Sequence, residues 1–369
     1  MRYYEQLSDL IGHTPLLRLT INRDDWLLLG KMESFNPGGS IKDRSALGLI
    51  RYAEAKGSLK PGMTLVESSS GNTAIALAML AAERGYKFIA MVDEHALPEK
   101  VAKIRALGGA IQFCDTAHLP LGQVGVDVRR QLAKQLAAER ADYLCLDQYD
   151  NPDNPEFYYH TLGEELLQDT GGEIDILIGP VGTGSSLCGA ARRLKEHNPA
   201  IRVYGVEPEG SISFGKEGKV YHQSGPGFPP GAKIPDNIDH ALIDRDFQVA
   251  DSATFHTMRF LSRERGIFLG DSGGATLYQA MQIIRQSAPH PARPKVLVAL
   301  LSDSGNSYLS HAYDDAWMRE RDLFQPEIEA ELTAFYAENC VKNTPHFHIG
   351  RKGEHITIFP GKPGLIIHP

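Results

Sequence analysis

The sequence contains no apolar run near the ~20 residues that span a bilayer, so no transmembrane segment is expected. Its start, Met1-Arg2-Tyr3-Tyr4-Glu5, lacks an apolar stretch of the secretory kind, which points to the cytoplasm. Cysteine is scarce. Cys114, Cys145, Cys188 and Cys340 lie far apart and form no C-x-x-C, which argues against a disulfide framework or a zinc site. An excess of basic charge is also missing. Lys and Arg number 38 against 46 Asp and Glu, a net charge of −8, which argues against nucleic acid or an anionic membrane as the main partner. Internal repeats and low-complexity tracts are absent. What is there is an ordinary globular composition, 42% hydrophobic and 23% charged, over 369 residues. That length allows two to three domains of ~150 residues with sizeable cores.

Short β-like runs alternate with amphipathic stretches. Strands are predicted at Thr64–Glu67, Phe88–Val92 and Ala110–Phe113, followed in turn by helices over Ala74–Arg84, Pro98–Leu107 and Gly125–Arg140. A second series has strands at Asp175–Ile178, Arg202–Val206 and Lys295–Leu301 and helices over Ser185–His197, Phe255–Arg265 and Gly273–Ser287. The spacing predicts an α/β fold with parallel sheets covered on both faces. The break at Asn151-Pro152-Asp153-Asn154-Pro155 predicts two lobes and a cleft, with the chemistry on loops at the carboxyl ends of strands. Beyond Gln325 a helix over Pro326–Asn339 and short strands at His346–Ile349, His355–Phe359 and Leu365–His368 read as a small appended hairpin unit. The histidines of that unit alternate along strands and read as facing solvent or a neighbour, so no metal site is expected.

Three loops carry candidate chemistry. Gly182-Thr183-Gly184-Ser185-Ser186 follows a strand and opens a helix, where freed backbone N–H groups form an anion cradle. The same residues also suit a tight strand-to-helix turn. Neither the P-loop nor the dinucleotide fingerprint is complete there. Ser68-Ser69-Ser70-Gly71-Asn72-Thr73 offers hydroxyls and an amide at a helix start, fit either for a carboxylate or for ordinary capping. Asn36-Pro37-Gly38-Gly39-Ser40-Ile41-Lys42-Asp43-Arg44 places a lysine after a glycine turn, at a helix N-terminus that disfavours its charge. Such an amine is a nucleophile for aldehydes; the alternative is a solvated lysine. Asp271, before Ser272-Gly273-Gly274, reads as a helix cap rather than a catalytic acid.

Taken together, these segments resemble the pyridoxal-phosphate-dependent cysteine synthase (O-acetylserine sulfhydrylase) and cystathionine β-synthase family. The Lys42 segment is similar to its Asn-Pro-x-x-Ser-x-Lys-Asp-Arg motif, Ser69–Thr73 to Thr-Ser-Gly-Asn-Thr, and Gly182–Ser186 to Gly-Thr-Gly-Gly-Thr. Leu10–Leu16 resembles its Ile-Gly-x-Thr-Pro-Leu, Gln148–Pro152 its Gln-Phe-x-Asn-Pro, and Ser302-Asp303-Ser304-Gly305 follows the last strand. The resemblance runs from about Tyr4 to Leu323. It implies the two-lobed, tryptophan synthase β-like (fold type II) architecture, with pyridoxal 5'-phosphate in the interlobe cleft, and a homodimer. The larger lobe is then expected at 1–45 and 151–323, the smaller mobile lobe at 46–150, and a C-terminal extension at 324–369.

The implied roles are specific. Lys42 holds the cofactor as a Schiff base and moves the Cα proton. Asn72 bonds the ring oxygen, Ser304 faces the ring nitrogen, and Gly182, Thr183, Gly184, Ser185 and Ser186 hold the phosphate. Ser69, Ser70, Thr73 and Gln148 hold the substrate carboxylate. A hydroxyl at Ser304 makes the ring a weaker electron sink than a carboxylate would, which suits β-elimination to an aminoacrylate followed by nucleophilic attack. The simplest implied activity is L-cysteine synthesis from O-acetylserine and sulfide. The alternatives are cystathionine synthesis, a specialised β-synthase with an amine or thiol nucleophile, β-elimination alone, or a non-catalytic cofactor-binding protein.

Ser69 and Ser185 replace a family threonine and glycine. Gln223-Ser224-Gly225-Pro226-Gly227-Phe228 departs from the cleft loop Gly-Ile-Gly-Ala-Gly-Phe and also lacks the residues typical of cystathionine synthases, whereas Tyr158–Gly163 and Tyr308–Met318 look like that branch. The tail beyond Leu323 is shorter than the regulatory domain pair some of those enzymes carry.

Overall fold

The computed structural model describes residues 3–19, 25–120, 123–288, 293–339, 348–352 and 355–359. The first half of the chain gives β1 (Leu16–Arg18), β2 (Trp26–Met32), α1 (Lys42–Ala55), β3 (Thr64–Ser68), α2 (Asn72–Arg84), β4 (Lys87–Val92), α3 (Pro98–Ala106), β5 (Ala110–Phe113), α4 (Gly125–Ala138) and β6 (Tyr143–Cys145). The second half gives α5 (Asp153–Tyr158), α6 (Glu164–Thr170), β7 (Ile176–Pro180), α7 (Ser185–His197), β8 (Arg202–Pro208), β9 (Arg245–Val249), α8 (Asp251–Arg265), α9 (Asp271–Gln286), β10 (Lys295–Leu301), α10 (Asp315–Arg319), α11 (Pro326–Asn339), β11 (His348–Lys352) and β12 (His355–Phe359).

The strands make a six-stranded sheet in the order β1-β2-β10-β7-β8-β9 and a four-stranded sheet in the order β5-β4-β3-β6. All pairings within them are parallel except β1 against β2. Strands β3 and β7 are buried along their whole length and β10 nearly so. That is why β7 and β10 read as apolar runs rather than as alternations, whereas β3 buries polar residues as well. Helix α2 is buried from Thr73 to Ala81 and is apolar nearly all round, because it packs against α1, α3, β3 and β4 at once. Separate cores cover the two faces of the larger sheet, and a third joins α1 and α2 to the smaller one.

Periodicity does not predict β2, β6, β9 or the helical stretch from Asp153 to Thr170. Strand β2, Trp-Leu-Leu-Leu-Gly-Lys-Met, has no β-branched residue and carries Gly30, both poor strand signals. Gly30 is there because β10 comes close: a Cβ would lie 2.6 Å from Leu301 Cδ1. The tail also differs from a separate appended unit. Helix α11 sends Leu332 and Phe335 into the core that holds Phe260. The backbone N–H of Gln325 donates to His256 Nε2 at 2.8 Å, and His256 Nδ1 lies 3.1 Å from Glu329. β11 and β12 pair as the expected hairpin, while Leu365–His368 and Cys340 lie outside the described residues. Cys114, Cys145 and Cys188 are free thiols. Among the described residues no helix is long and apolar enough to cross a membrane.

The order β2-β10-β7 puts the carboxyl ends of three neighbouring strands side by side. The loops that leave them carry Lys42, Ser304 and Gly182–Ser186.

Candidate active site

The turn before Lys42 is shaped by close packing. Gly39 has φ +93°, a left-handed conformation that glycine tolerates. A Cβ on Gly38 would lie 2.4 Å from Asp43 Oδ1, and the Gly38 N–H donates to Asp43 Oδ2 at 2.5 Å. Burial pushes the Asp43 carboxyl up to about 7. Lys42 then takes the first position of α1. Burial pulls its ammonium down to about 8. The shift has the direction expected for a helix N-terminus, but loss of water is its cause. Among the described residues the Lys42 amine has no hydrogen-bonding or ionic partner, although its side chain stays partly accessible.

The next arginine is handled in the opposite way. Arg44 is buried and forked between two carboxylates, reaching Glu33 at 2.8 and 2.9 Å and Glu165 at 2.6 and 2.7 Å. Lys31 Nζ adds contacts to Glu165 at 3.1 Å, Asp169 at 2.8 Å and the Thr14 carbonyl at 2.6 Å. Burial would push Glu165 up, but Arg44 and Lys31 hold it down at about 2. This network ties β2, α1, α6 and the N-terminal segment together beneath Lys42.

Asn72 and Ser304 come to the same turn. The Ile41 N–H donates to the Ser302 carbonyl at 2.8 Å, and Ser40 bridges Asp303. Asn72, the first residue of α2, donates its Nδ2–H to Asp303 Oδ2 at 2.7 Å. The Ser304 hydroxyl accepts weakly from the Asn306 N–H at 3.4 Å.

The Gly182–Ser186 loop has the form of an anion cradle. Gly184 has φ +84°, and a Cβ there would lie 2.8 Å from the Asn237 carbonyl oxygen. A Cβ on Gly182 would lie 2.7 Å from the Gly225 carbonyl oxygen. The backbone N–H groups of Gly182, Thr183 and Gly184 donate to no other described residue, and Ser185 and Ser186 open α7 with theirs. Five amides at a helix start, two of them on glycines that cannot carry a side chain, fit a phosphate. With the unpartnered amine of Lys42, this donor set fits pyridoxal phosphate.

Thr73 and Gln148 are also brought together. Thr73 Oγ1 donates to Gln148 Oε1 at 2.6 Å, and Gln148 Nε2 donates to the Ser68 carbonyl at 3.1 Å. The Gly71 N–H bonds Ser69 Oγ at 3.2 Å, and Ser70 lies beside it, partly exposed. Beneath the loop, the Glu67 carboxyl accepts from the Ser68 N–H at 2.9 Å and the Gln148 N–H at 3.2 Å, so one buried group aligns both segments. Burial pushes Glu67 up to about 8, and Asp147 adds to the rise.

Residues that pattern reading missed lie between the two sheets. Lys100 Nζ, on α3, reaches Ser224 Oγ and Tyr308 Oη at 3.3 Å each, and the Tyr308 hydroxyl donates to Asp303 Oδ2 at 2.8 Å. Asp271 is fully buried and accepts from the Ser224 N–H, so it anchors the cleft loop rather than merely capping α9. Burial pushes its carboxyl up to about 7, with Lys100 opposing and Asp303 adding to the rise. The Gln223 side chain turns away to the Val249 carbonyl at 2.9 Å. Lys100 sits on an ordinary amphipathic helix, which gave no signal. Asp303, next to Ser304, was visible in the sequence but had no pattern to assign it a role.

Comparison with known proteins bears on the family and the fold. The model of the family described as pyridoxal-phosphate dependent enzyme matches residues 7–303. A putative cysteine synthase of Sinorhizobium fredii is 41% identical over 326 residues, 88% of this chain and 95% of that protein. Cystathionine beta-synthase of Apis mellifera is 36% identical over 90% of this chain, which spans only 66% of that longer protein. The crystal structure of O-ureido-L-serine synthase superposes with a TM-score of 0.77 at 35% identity, covering 86% of this chain and all of that one.

Proposed function

Since the chain belongs to the family of pyridoxal-phosphate dependent enzymes, and is a β-replacement enzyme of that family, we propose that it exchanges the β-substituent of an O-activated L-serine, most simply O-acetylserine with sulfide to give L-cysteine. The observation that carries this reading is the partly accessible Lys42 amine, without a partner among the described residues, set against the Asp303 junction where Asn72 and Ser304 meet.

Bound pyridoxal phosphate supplies an electron-withdrawing ring conjugated to Cα of an amino acid. Lys42 would hold the cofactor through its amine, and the same amine is placed to take the Cα proton of the substrate. An amine near 8 is neutral in a minority of molecules at physiological pH, yet far more often than a free lysine, which suits both tasks. The amides of Gly182, Thr183, Gly184, Ser185 and Ser186 would hold the phosphate, Asn72 would donate to the ring oxygen, and Ser304 would present a hydroxyl to the ring nitrogen. A hydroxyl does not keep that nitrogen protonated as a carboxylate does, so the site favours prompt loss of the β-substituent over prolonged charge at Cα. Ser69, Ser70, Thr73 and Gln148 hold the substrate carboxylate. The smaller lobe, 46–150, excludes water while the β-carbon is open to attack. Tyr4, Leu10 and Phe35 line one hollow and are exposed, which supports a homodimer.

A nucleophile other than sulfide is the second reading. The likeness to O-ureido-L-serine synthase and Pro226 in the cleft loop favour it. Adding O-acetylserine to the purified enzyme tests the proposal. The cofactor absorbance should shift, and should return when sulfide is supplied with L-cysteine as product. A shift that only an amine, hydroxyl or other thiol reverses selects the second reading. An unchanged band with every activated serine rejects both.

A further inference from the structure

We infer that Asp303 is a positioning residue: it sets the Asn72 amide so that the remaining Asn72 N–H faces the cofactor ring. This rests on the reading of Asn72 given above. A side-chain amide at the start of a helix is free to turn about its last torsion, and the turn exchanges a donor for an acceptor. Here one Nδ2–H is spent on Asp303 Oδ2 at 2.7 Å, which fixes which end of the amide is which. Asn72 itself remains partly accessible, so its second N–H is available to a ligand in the cleft.

The carboxylate that does this is itself immobilised. Asp303 is 3% exposed. The Tyr308 hydroxyl donates to the same Oδ2 at 2.8 Å, and Tyr308 is fully buried beneath the Lys100 ammonium, 4.6 Å from its ring centroid. Among the described residues Asp303 Oδ1 has no partner, and it is walled in by Gly270, where a Cβ would collide with it. The Asp303 backbone is held from both sides, by the Ser40 bridge and by the Gly270 N–H at 3.2 Å. With Oδ2 taken by two donors and Oδ1 facing a glycine, Asp303 is placed to orient rather than to exchange protons. The bond also crosses from α2, beside the smaller sheet, to the end of β10 in the larger one. It therefore makes the Asn72 orientation depend on how the two lobes meet.

The test is a double-mutant cycle on pyridoxal phosphate affinity, read by fluorescence titration of the stripped protein, with the visible band of the bound cofactor as a second readout. Asp303→Ala should weaken affinity about tenfold, the usual scale for a lost hydrogen bond to a charged group, and should displace the band in the same direction as Asn72→Ala. In the Asn72→Ala background the same change should cost less than about twofold. Equal losses in both backgrounds, or no loss beside Asn72, overturn the positioning role alone. If Asn72→Ala leaves affinity and band unchanged, the Asn72 assignment falls and this inference with it. Should Asp303→Ala not fold, the near-isosteric Asp303→Asn is used. Its neutral acceptor should cost about threefold, again only when Asn72 is present, and equal cost in both backgrounds refutes the inference.

Discussion

Lys31 and Lys42 lie on either side of one turn, and the protein treats their charges in opposite ways. Lys31 has no exposed side-chain surface and is met by Glu165, Asp169 and the Thr14 carbonyl. Together with Arg44, Glu33 and Glu165 it forms a network in which each buried charge has an opposite one. Lys42 is partly accessible and has no partner among the described residues, and burial has pulled its amine down to about 8. The contrast separates structure from chemistry. Buried charge that holds the fold together is paired, because an unpaired ion in the interior is costly. Buried charge left unpaired is unstable as an ion, and the neutral amine it gives up to is the reactive species.

The largest effect should come from the unpaired side. Lys42→Ala is expected to lower turnover by about 10⁴-fold, the upper range for loss of a positioned base, measured with O-acetylserine and sulfide. The paired side should answer in stability instead. Arg44→Met strands Glu33, leaves Glu165 with Lys31 alone, and is expected to cost about 3–5 kcal/mol in urea denaturation. Lys31→Met leaves Glu165 with Arg44 and lets the half-exposed Asp169 turn to water, so about 2 kcal/mol is expected. If Lys31→Met proves as damaging as Arg44→Met, the two cations share one role and the ranking within the network is wrong.

The smallest expected effect has the opposite sign. Lys42→Met should stabilise the cofactor-free protein by about 1–2 kcal/mol at pH 7, a figure reduced for the partial exposure of the side chain. The folded amine titrates near 8 and the free one near 10.5. Below about 8 both states are protonated and the whole cost of the buried charge is present. Between 8 and 10.5 the unfolded chain holds more protons, so wild-type stability rises with pH. The advantage of Lys42→Met should therefore fade over that interval. An advantage that stays constant to pH 10.5 would show that charge burial is not its source.

The pattern of the sequence reached far into this structure. Glycine-rich turns and apolar parallel strands are local signals, so the loops bearing Lys42, Asn72 and Gly182 and the strands β3, β4, β7 and β10 were legible before any geometry. β2 was not, because leucine and glycine in Leu27–Gly30 carry no strand signature; its position comes from the neighbour it found in β10. The partners of the site residues were hidden for a related reason. Asp303, Tyr308 and Lys100 act across the gap between two sheets, and no periodicity along one element records a contact made with another. The cause of the Lys42 shift was hidden likewise: helix starts can be read from sequence, but depth of burial requires the fold.

Borohydride reduction of the cofactor-loaded protein, followed by peptide mapping in a mass spectrometer, examines the contrast between the two lysines at its root. A single pyridoxyl group on Lys42, with Lys31 and Lys100 unmodified, is the expected result. A pyridoxyl group on another lysine, or none at all, would contradict it.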